Sequence, residues 1–159
     1  MLDLKVYPKA LQLLMQTDGT VTELIKLLAK ENIIVIKISE SIETLSERIL
    51  YRHIYLQGEK SKKNWLYAES KIYLDNLPKE FVSDLLEKTI PIGTLWLNYR
   101  TETFKQLIKQ CEEISIDEST FGFPIGTKML SRMYQVFNQN KIIMEITEKF
   151  PVHKFKKLV

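Results

Sequence analysis

Apolar and polar residues alternate along several stretches of the chain, most clearly near its C-terminal end. Over Lys141–Pro151 a period of two sets Ile142, Met144, Ile146, Glu148 and Phe150 on one face. Lys141, Ile143, Glu145, Thr147 and Lys149 fall on the other. That alternation predicts a half-buried strand, with Glu145 and Lys149 as solvated charges. Arg48–Leu56 reads the same way, with Leu50, Arg52, Ile54 and Leu56 on one side and Tyr51, His53 and Tyr55 on the other. A third strand is expected over Asn64–Leu74. Its inward face, Leu66, Ala68, Ser70, Ile72 and Leu74, is small in the middle and leaves room for packed helices or a ligand. Isoleucine and valine predict a strand over Asn32–Ile38, followed by a loop over Ser39–Leu45. A short strand is expected over Thr94–Tyr99, after a turn at Pro91-Ile92-Gly93. Met129–Phe137 is read as a strand joined to the last one by a hairpin turn at Asn138–Asn140.

Helical patterns fill much of the rest. Ala10–Met15 predicts a short helix stopped by Thr17-Asp18-Gly19. Thr20-Val21-Thr22-Glu23 has the form of a capping box opening a second helix that ends near Lys30. Lys79–Lys88 is read as a helix, and so is Glu102–Glu113, where Phe104, Leu107, Ile108 and Cys111 recur at helical spacing. Ser115–Thr127, with the run Phe121–Gly126, is expected to be loop. Two helices, then strands joined mostly by hairpins with two inserted helices, predict an α+β fold on a largely antiparallel sheet. The length of 159 residues predicts a single domain over 1–159.

Composition narrows the function classes. The net charge of +3 is weak and the lysines are scattered, so no nucleic-acid partner is expected. The two locally basic stretches, Lys60–Lys63 and His153–Lys157, read as solvated surface. No apolar run approaches the roughly 18–20 residues that span a bilayer, and the N-terminus lacks a signal-peptide core, so no membrane association is expected. The lone Cys111 forms no intramolecular disulfide, which makes a cytoplasmic protein the default. With two histidines and one cysteine there is no ligand spacing for a metal, and none is expected. Gly-rich phosphate loops and a Ser–His–Asp arrangement are also missing from the sequence. His53 reads as a structural residue.

Two residues stand out against this background. Arg52 and Glu148 are both charged side chains on apolar strand faces, where an ionised group is costly unless it is paired or used. Only four of the 23 basic residues are arginines, which suits a chain that keeps arginine where its planar fork matters. One reading is a buried structural salt bridge between the two. The other is a dry pocket that holds an anion through Arg52 and does acid–base or hydrogen-bond work through Glu148.

Four blocks then occur in order: Asp18-Gly19-Thr20-Val21-Thr22, Leu50–Leu56 around Arg52, Ile90-Pro91-Ile92-Gly93-Thr94-Leu95, and Ile146-Thr147-Glu148-Lys149-Phe150-Pro151. Asp75-Asn76-Leu77-Pro78 and Arg132-Met133-Tyr134 lie between them. Together they resemble the chorismate pyruvate-lyase family, and its compact cyanobacterial, plastid and archaeal branch more than the enterobacterial enzyme. The resemblance covers roughly Leu11 to Pro151. It implies a chorismate lyase-like fold with about six antiparallel strands and helices packed on them. It also implies cofactor-free cleavage of chorismate to 4-hydroxybenzoate and pyruvate, in the cytoplasm or, for an organellar protein, the plastid stroma. By position, Arg52 matches the arginine that binds the ring carboxylate, and Glu148 the glutamate at the hydroxyl or ether end. Ile92 and Gly93 match a turn whose backbone amide contacts the ligand. Val21 matches a further backbone contact, at a position where the enterobacterial enzyme has methionine. The same fold resembles the effector-binding domain of helix-turn-helix repressors, so a non-catalytic domain that binds aromatic carboxylates is the alternative. Only about ten residues precede the first expected helix, so no DNA-binding domain is expected in this stretch. Oligomeric state has no signature in the sequence.

Overall fold

The computed structural model describes residues 2–116 and 123–158. Six strands form one sheet: β1 (Ile33–Glu43), β2 (Ile49–Gly58), β3 (Asn64–Tyr73), β4 (Phe104–Ile114), β5 (Lys128–Asn138) and β6 (Lys141–Pro151). Their order across the sheet is β1-β2-β3-β6-β5-β4, and every neighbouring pair is antiparallel. Four helices complete the fold: α1 (Lys9–Gln16), α2 (Val21–Ala29), α3 (Lys79–Glu87) and α4 (Ile92–Asn98). The architecture is the expected α+β, with an antiparallel six-stranded sheet.

The helices cover one face of the sheet in two groups, and this divides the core. Under α1, α2 and the C-terminal turn, Leu11, Leu14, Ile25, Val35, Leu56, Leu66, Phe150 and Phe155 form one apolar cluster. Under α3 and α4, Leu50, Ile72, Phe81, Leu85, Leu95, Val136 and Met144 form another. Between them runs a polar band. Strand registers set Arg52 opposite Ser70, Ser70 opposite Ile146, and Ile146 opposite Tyr134. The next row of the same face reads Ile54, Ala68, Glu148 and Arg132.

Several local expectations need correcting. β1 does not stop at Ile38; Ser39–Glu43, expected as loop, pairs with Ile49–His53. β1 is an edge strand, and edges tolerate polar sequence because one side needs no partner. The turn at Pro91-Ile92-Gly93 and the strand Thr94–Tyr99 are instead the start and body of α4. Pro91 precedes the first helical residue, where its missing N–H costs nothing. The segment expected as a helix over Glu102–Glu113 is the edge strand β4. A bulge between Leu107 and Lys109 takes Ile108 out of register and breaks the period of two. The apolar residues then fall at helix-like spacing by accident, and Phe104, Leu107 and Ile108 are exposed. Thr20 occupies the position before α2 but its side chain makes no capping hydrogen bond, so the capping box does not form. Lys149 is buried rather than solvated, and its ammonium lies 2.6 Å from Glu113. The hairpin turn before β6 forms as expected, with positive φ at Gln139 and Asn140, the geometry that matches the twist of the strands. Of the expected loop Ser115–Thr127, residues 117–122 lie outside the described residues.

Candidate functional site

The polar band opens into a cavity where the two helix groups meet. Its floor is the sheet, where Ala68 and Ser70 supply too little side chain to fill the space. Val21 and Thr22 from the first turn of α2, and Ile92 and Gly93 from the first turn of α4, form the roof. First-turn amides have no acceptor inside their own helix, and the first turns of both helices line this cavity. The two helix starts are packed so closely that a Cβ on Gly93 would come within 2.4 Å of Thr20 Cγ2. Glycine at 93 is therefore what lets the two roof elements meet.

Arg52 comes from the inward face of β2, placed there by the alternation that also buries Leu50 and Ile54. It is 2% exposed. Its Nε lies 3.8 Å from the half-buried Glu40 carboxylate, beyond hydrogen-bond range. None of its three guanidinium nitrogens has a hydrogen-bond partner among the described residues. Burial pushes its pKa down, and Glu40 offsets this only in part. Buried polar groups in folded proteins are almost always satisfied, so a buried guanidinium with three unmatched nitrogens at a cavity can donate to an anion that enters it.

Glu148 is arranged in the opposite manner. Arg132 Nε donates to its Oε1 at 2.7 Å, and the Tyr134 hydroxyl donates to its Oε2 at 3.2 Å. Arg132 Nη1 donates to the Thr17 carbonyl at 2.7 Å, and the guanidinium stacks 5.0 Å from the Tyr134 ring centre. Burial opposes the Arg132 charge, but Glu148 and Tyr134 outweigh it and raise its pKa. Burial first, and the Glu148 carboxylate second, push the Tyr134 phenol well above its ordinary value, so it stays a donor. Both Glu148 oxygens are thus used as acceptors, and the carboxylate is held in one orientation.

Arg52 and Glu148 do not pair with each other. β3 lies between their strands, and two strand spacings across with two residues along put their backbones roughly 12 Å apart. The five residues singled out from the sequence, Arg52, Glu148, Val21, Ile92 and Gly93, all line this one cavity. The sequence reading missed Arg132, Tyr134, Lys105 and Trp96. The signal for the first two was available: alternation over β5 puts Arg132 on the same face as Leu130 and Val136, the anomaly that exposed Arg52. Lys105 and Trp96 were hidden because their segments were assigned the wrong period. Among the described residues no group of three or more His, Cys, Asp or Glu could hold a metal ion, and no helix is long and apolar enough to cross a membrane.

The cavity measures about 40 Å³. It is bounded on one side by Lys105 and Tyr134, which also border an outer cavity of about 370 Å³ lined by Thr17, Asp18, Gln110 and Arg132.

Comparison with known proteins gives matches of two kinds. A family model described as chorismate pyruvate-lyase Rv2949c-like matches residues 11–158. A chorismate pyruvate-lyase of Mycobacterium tuberculosis is 27% identical over 156 residues, covering 88% of this chain and 78% of that protein. One of Mycobacterium leprae is 30% identical over 115 residues, covering 65% of this chain and 55% of that protein. Among solved structures, the effector domain of PhnF from Mycobacterium smegmatis superposes with a TM-score of 0.61 at 13% identity, covering 86% of this chain and 90% of that domain. That last likeness is one of fold.

Proposed function

The chain belongs to the chorismate pyruvate-lyase Rv2949c-like family, and on that premise we propose that it cleaves chorismate to 4-hydroxybenzoate and pyruvate. The observation that carries the reading is the buried, unsatisfied Arg52 guanidinium across one cavity from a Glu148 carboxylate fixed by two donors. A ring acid whose carboxylate meets Arg52 presents its far end, the hydroxyl-bearing carbon, to Glu148. The first-turn amides of Val21, Ile92 and Gly93 supply further donors along the roof. An apolar cavity that binds benzene measures about 150 Å³, more than the 40 Å³ here, so a ring acid enters only as the cavity widens.

The chemistry asks little of the protein. The C3–O bond breaks with its electron pair on oxygen, a proton leaves C4, and the new C3=C4 bond completes the aromatic ring. The proton lost from the ring is matched by one gained at the methylene carbon as enolpyruvate becomes pyruvate. Aromatisation supplies the driving force, and the site contributes orientation and a proton acceptor. Glu148, already an acceptor on both oxygens, suits hydrogen bonding to the C4 hydroxyl or receipt of the C4 proton, and does not suit proton donation. No metal or cofactor is needed in this scheme.

A second reading, a binding domain without chemistry, is favoured by the fold shared with the PhnF effector domain. One assay separates the two: purified protein is mixed with chorismate, and 4-hydroxybenzoate and pyruvate are followed by chromatography. Equal formation of both supports the lyase. Neither product, together with saturable 4-hydroxybenzoate binding, supports the binding domain. In the lyase reading Glu148→Gln keeps its shape and loses turnover by about 10²–10⁴-fold if Glu148 takes the proton.

A further inference from the structure

Chorismate carries two carboxylates, and among the described residues the cavity offers two cations that are not committed to a protein carboxylate within hydrogen-bond range. Arg132 is bound to Glu148 and to Thr17. The basic residues that line the cavity itself are Arg52 and Lys105. Lys105 projects from β4, paired with Val136 on the side of the sheet that carries the site. Its ammonium sits 5.3 Å from the centre of the Trp96 ring and 5.3 Å from that of Tyr134. It donates to the Gly19 carbonyl at 2.9 Å, which uses one of three N–H bonds. It is close enough to Glu148 for that carboxylate to favour its charge, although burial is the larger effect and lowers its pKa.

Building on the lyase reading, we propose that Lys105 binds the carboxylate of the enolpyruvyl arm, and so distinguishes substrate from product. The argument is one of connectivity. In chorismate the arm is attached to the carbon next to the one bearing the hydroxyl. With the ring carboxylate at Arg52 and the hydroxyl end at Glu148, the arm lies beside Glu148, where Lys105 has two further N–H bonds to offer and Arg132 only its unmatched Nη2. The ammonium also stands where negative charge grows on the ether oxygen as the C3–O bond breaks, which favours departure of the arm. Lys105 borders the outer cavity as well, so the released three-carbon acid leaves on the side where it was held. 4-Hydroxybenzoate has no second carboxylate and makes no use of this contact.

The test compares the two ligands in Lys105→Met and Lys105→Arg. Turnover of chorismate and affinity for 4-hydroxybenzoate are measured on each, with binding of chorismate by calorimetry alongside. For Lys105→Met the expected result is a fall in kcat/KM for chorismate of about 10–100-fold, the size typical of a lost charge-assisted contact. Affinity for 4-hydroxybenzoate, which has no second carboxylate to reach Lys105, should change less than about threefold. Lys105→Arg should recover most of the loss. Equal losses for both ligands would overturn the proposal, since Lys105 would then act only by tying β4 to Gly19. No loss for either would also overturn it. If the wild-type protein binds chorismate but makes no product, the lyase reading fails by itself. The Lys105 proposal is then judged on affinity alone, and a selective loss for chorismate still upholds it.

Discussion

Replacing Arg52 by methionine is expected to make the protein more stable and unable to hold its ligand. Most substitutions of a fully buried residue do the reverse, so the sign is the informative part. Arg52 is 2% exposed, satisfies none of its three nitrogens within the described residues, and has only a carboxylate at 3.8 Å to offset its charge. Each buried donor left unmade costs about 1–3 kcal/mol, and replacing a buried charge by an apolar side chain of similar volume commonly gains about 1–4 kcal/mol. Methionine keeps the packing of the arginine stem. Glu40 is not orphaned, because Lys37 remains 3.2 Å away. A net gain of about 1–3 kcal/mol corresponds to a rise in Tm of about 2–10 °C for a protein of this size.

The assay is thermal unfolding with and without 4-hydroxybenzoate. Wild-type protein at a ligand concentration 100 times Kd should gain about 2.7 kcal/mol, visible as a further rise in Tm. Arg52→Met should start higher and show no rise with ligand. A variant that melts several degrees below wild type would refute the reasoning, because it would mean that Arg52 stabilises the protein through contacts other than a ligand. A variant that keeps the ligand-induced rise would show that the carboxylate binds elsewhere.

The same substitution at Arg132 should go the other way: Arg132→Met strands Glu148 in a buried site, and an expected loss of about 3–5 kcal/mol would show as a large fall in Tm, mostly restored by adding Glu148→Leu. Gly93→Ala should destabilise because its Cβ meets Thr20 Cγ2 at 2.4 Å, and Thr20→Ser, which removes that atom, should rescue it, since alanine otherwise favours a helix by up to about 1 kcal/mol; a rescue no larger than that of Thr22→Ser would count against the contact. In the proposed role Lys105 acts as a cation; burial lowers its pKa while Glu148 and Asp18 oppose that and Arg132 adds to it. Its contribution to kcat/KM is therefore present at neutral pH and lost as pH rises through a value below the ordinary lysine range near 10.4; Lys105→Arg, which stays charged, should remove that alkaline fall.

How much of this was legible in the sequence depends on whether alternation survived. β2, β3 and β6 each keep an unbroken period of two through the site, and on them Arg52 and Glu148 stand out as charges among aliphatic neighbours. Ala68 and Ser70 announce the space between them. β4 lost its signal to a single residue. The bulge at Ile108 shifts the parity, so Lys105 and Leu107 before it and Gln110 after it border the same outer cavity. An exposed edge strand also has no buried face to enforce a pattern. α4 was misread because its seven residues are too few for helical periodicity to outweigh the β-preferring Trp96 and Tyr99. The partner of Glu148 was a harder matter. Sequence alone leaves open whether the two anomalous charges pair or flank a pocket, and the register puts Glu148 directly opposite Arg132 and separates it from Arg52 by a whole strand.

That register also decides how the site divides its labour. Had Arg52 paired with Glu148, each would have satisfied the other and the cavity would have presented a neutral wall. Instead Arg132 and Tyr134 take both Glu148 oxygens, which fixes one carboxylate in place and leaves the guanidinium of Arg52 unmatched at the far end. One buried arginine is thereby tied to a protein carboxylate, and the other keeps the donors that the proposed ring acid would use. The two methionine substitutions should therefore move Tm in opposite directions even though they remove the same chemical group from the same sheet face. If both variants lost stability alike, Arg52 and Arg132 would be equivalent structural cations. The cavity would then lack the unmatched charge on which recognition of an aromatic carboxylate rests.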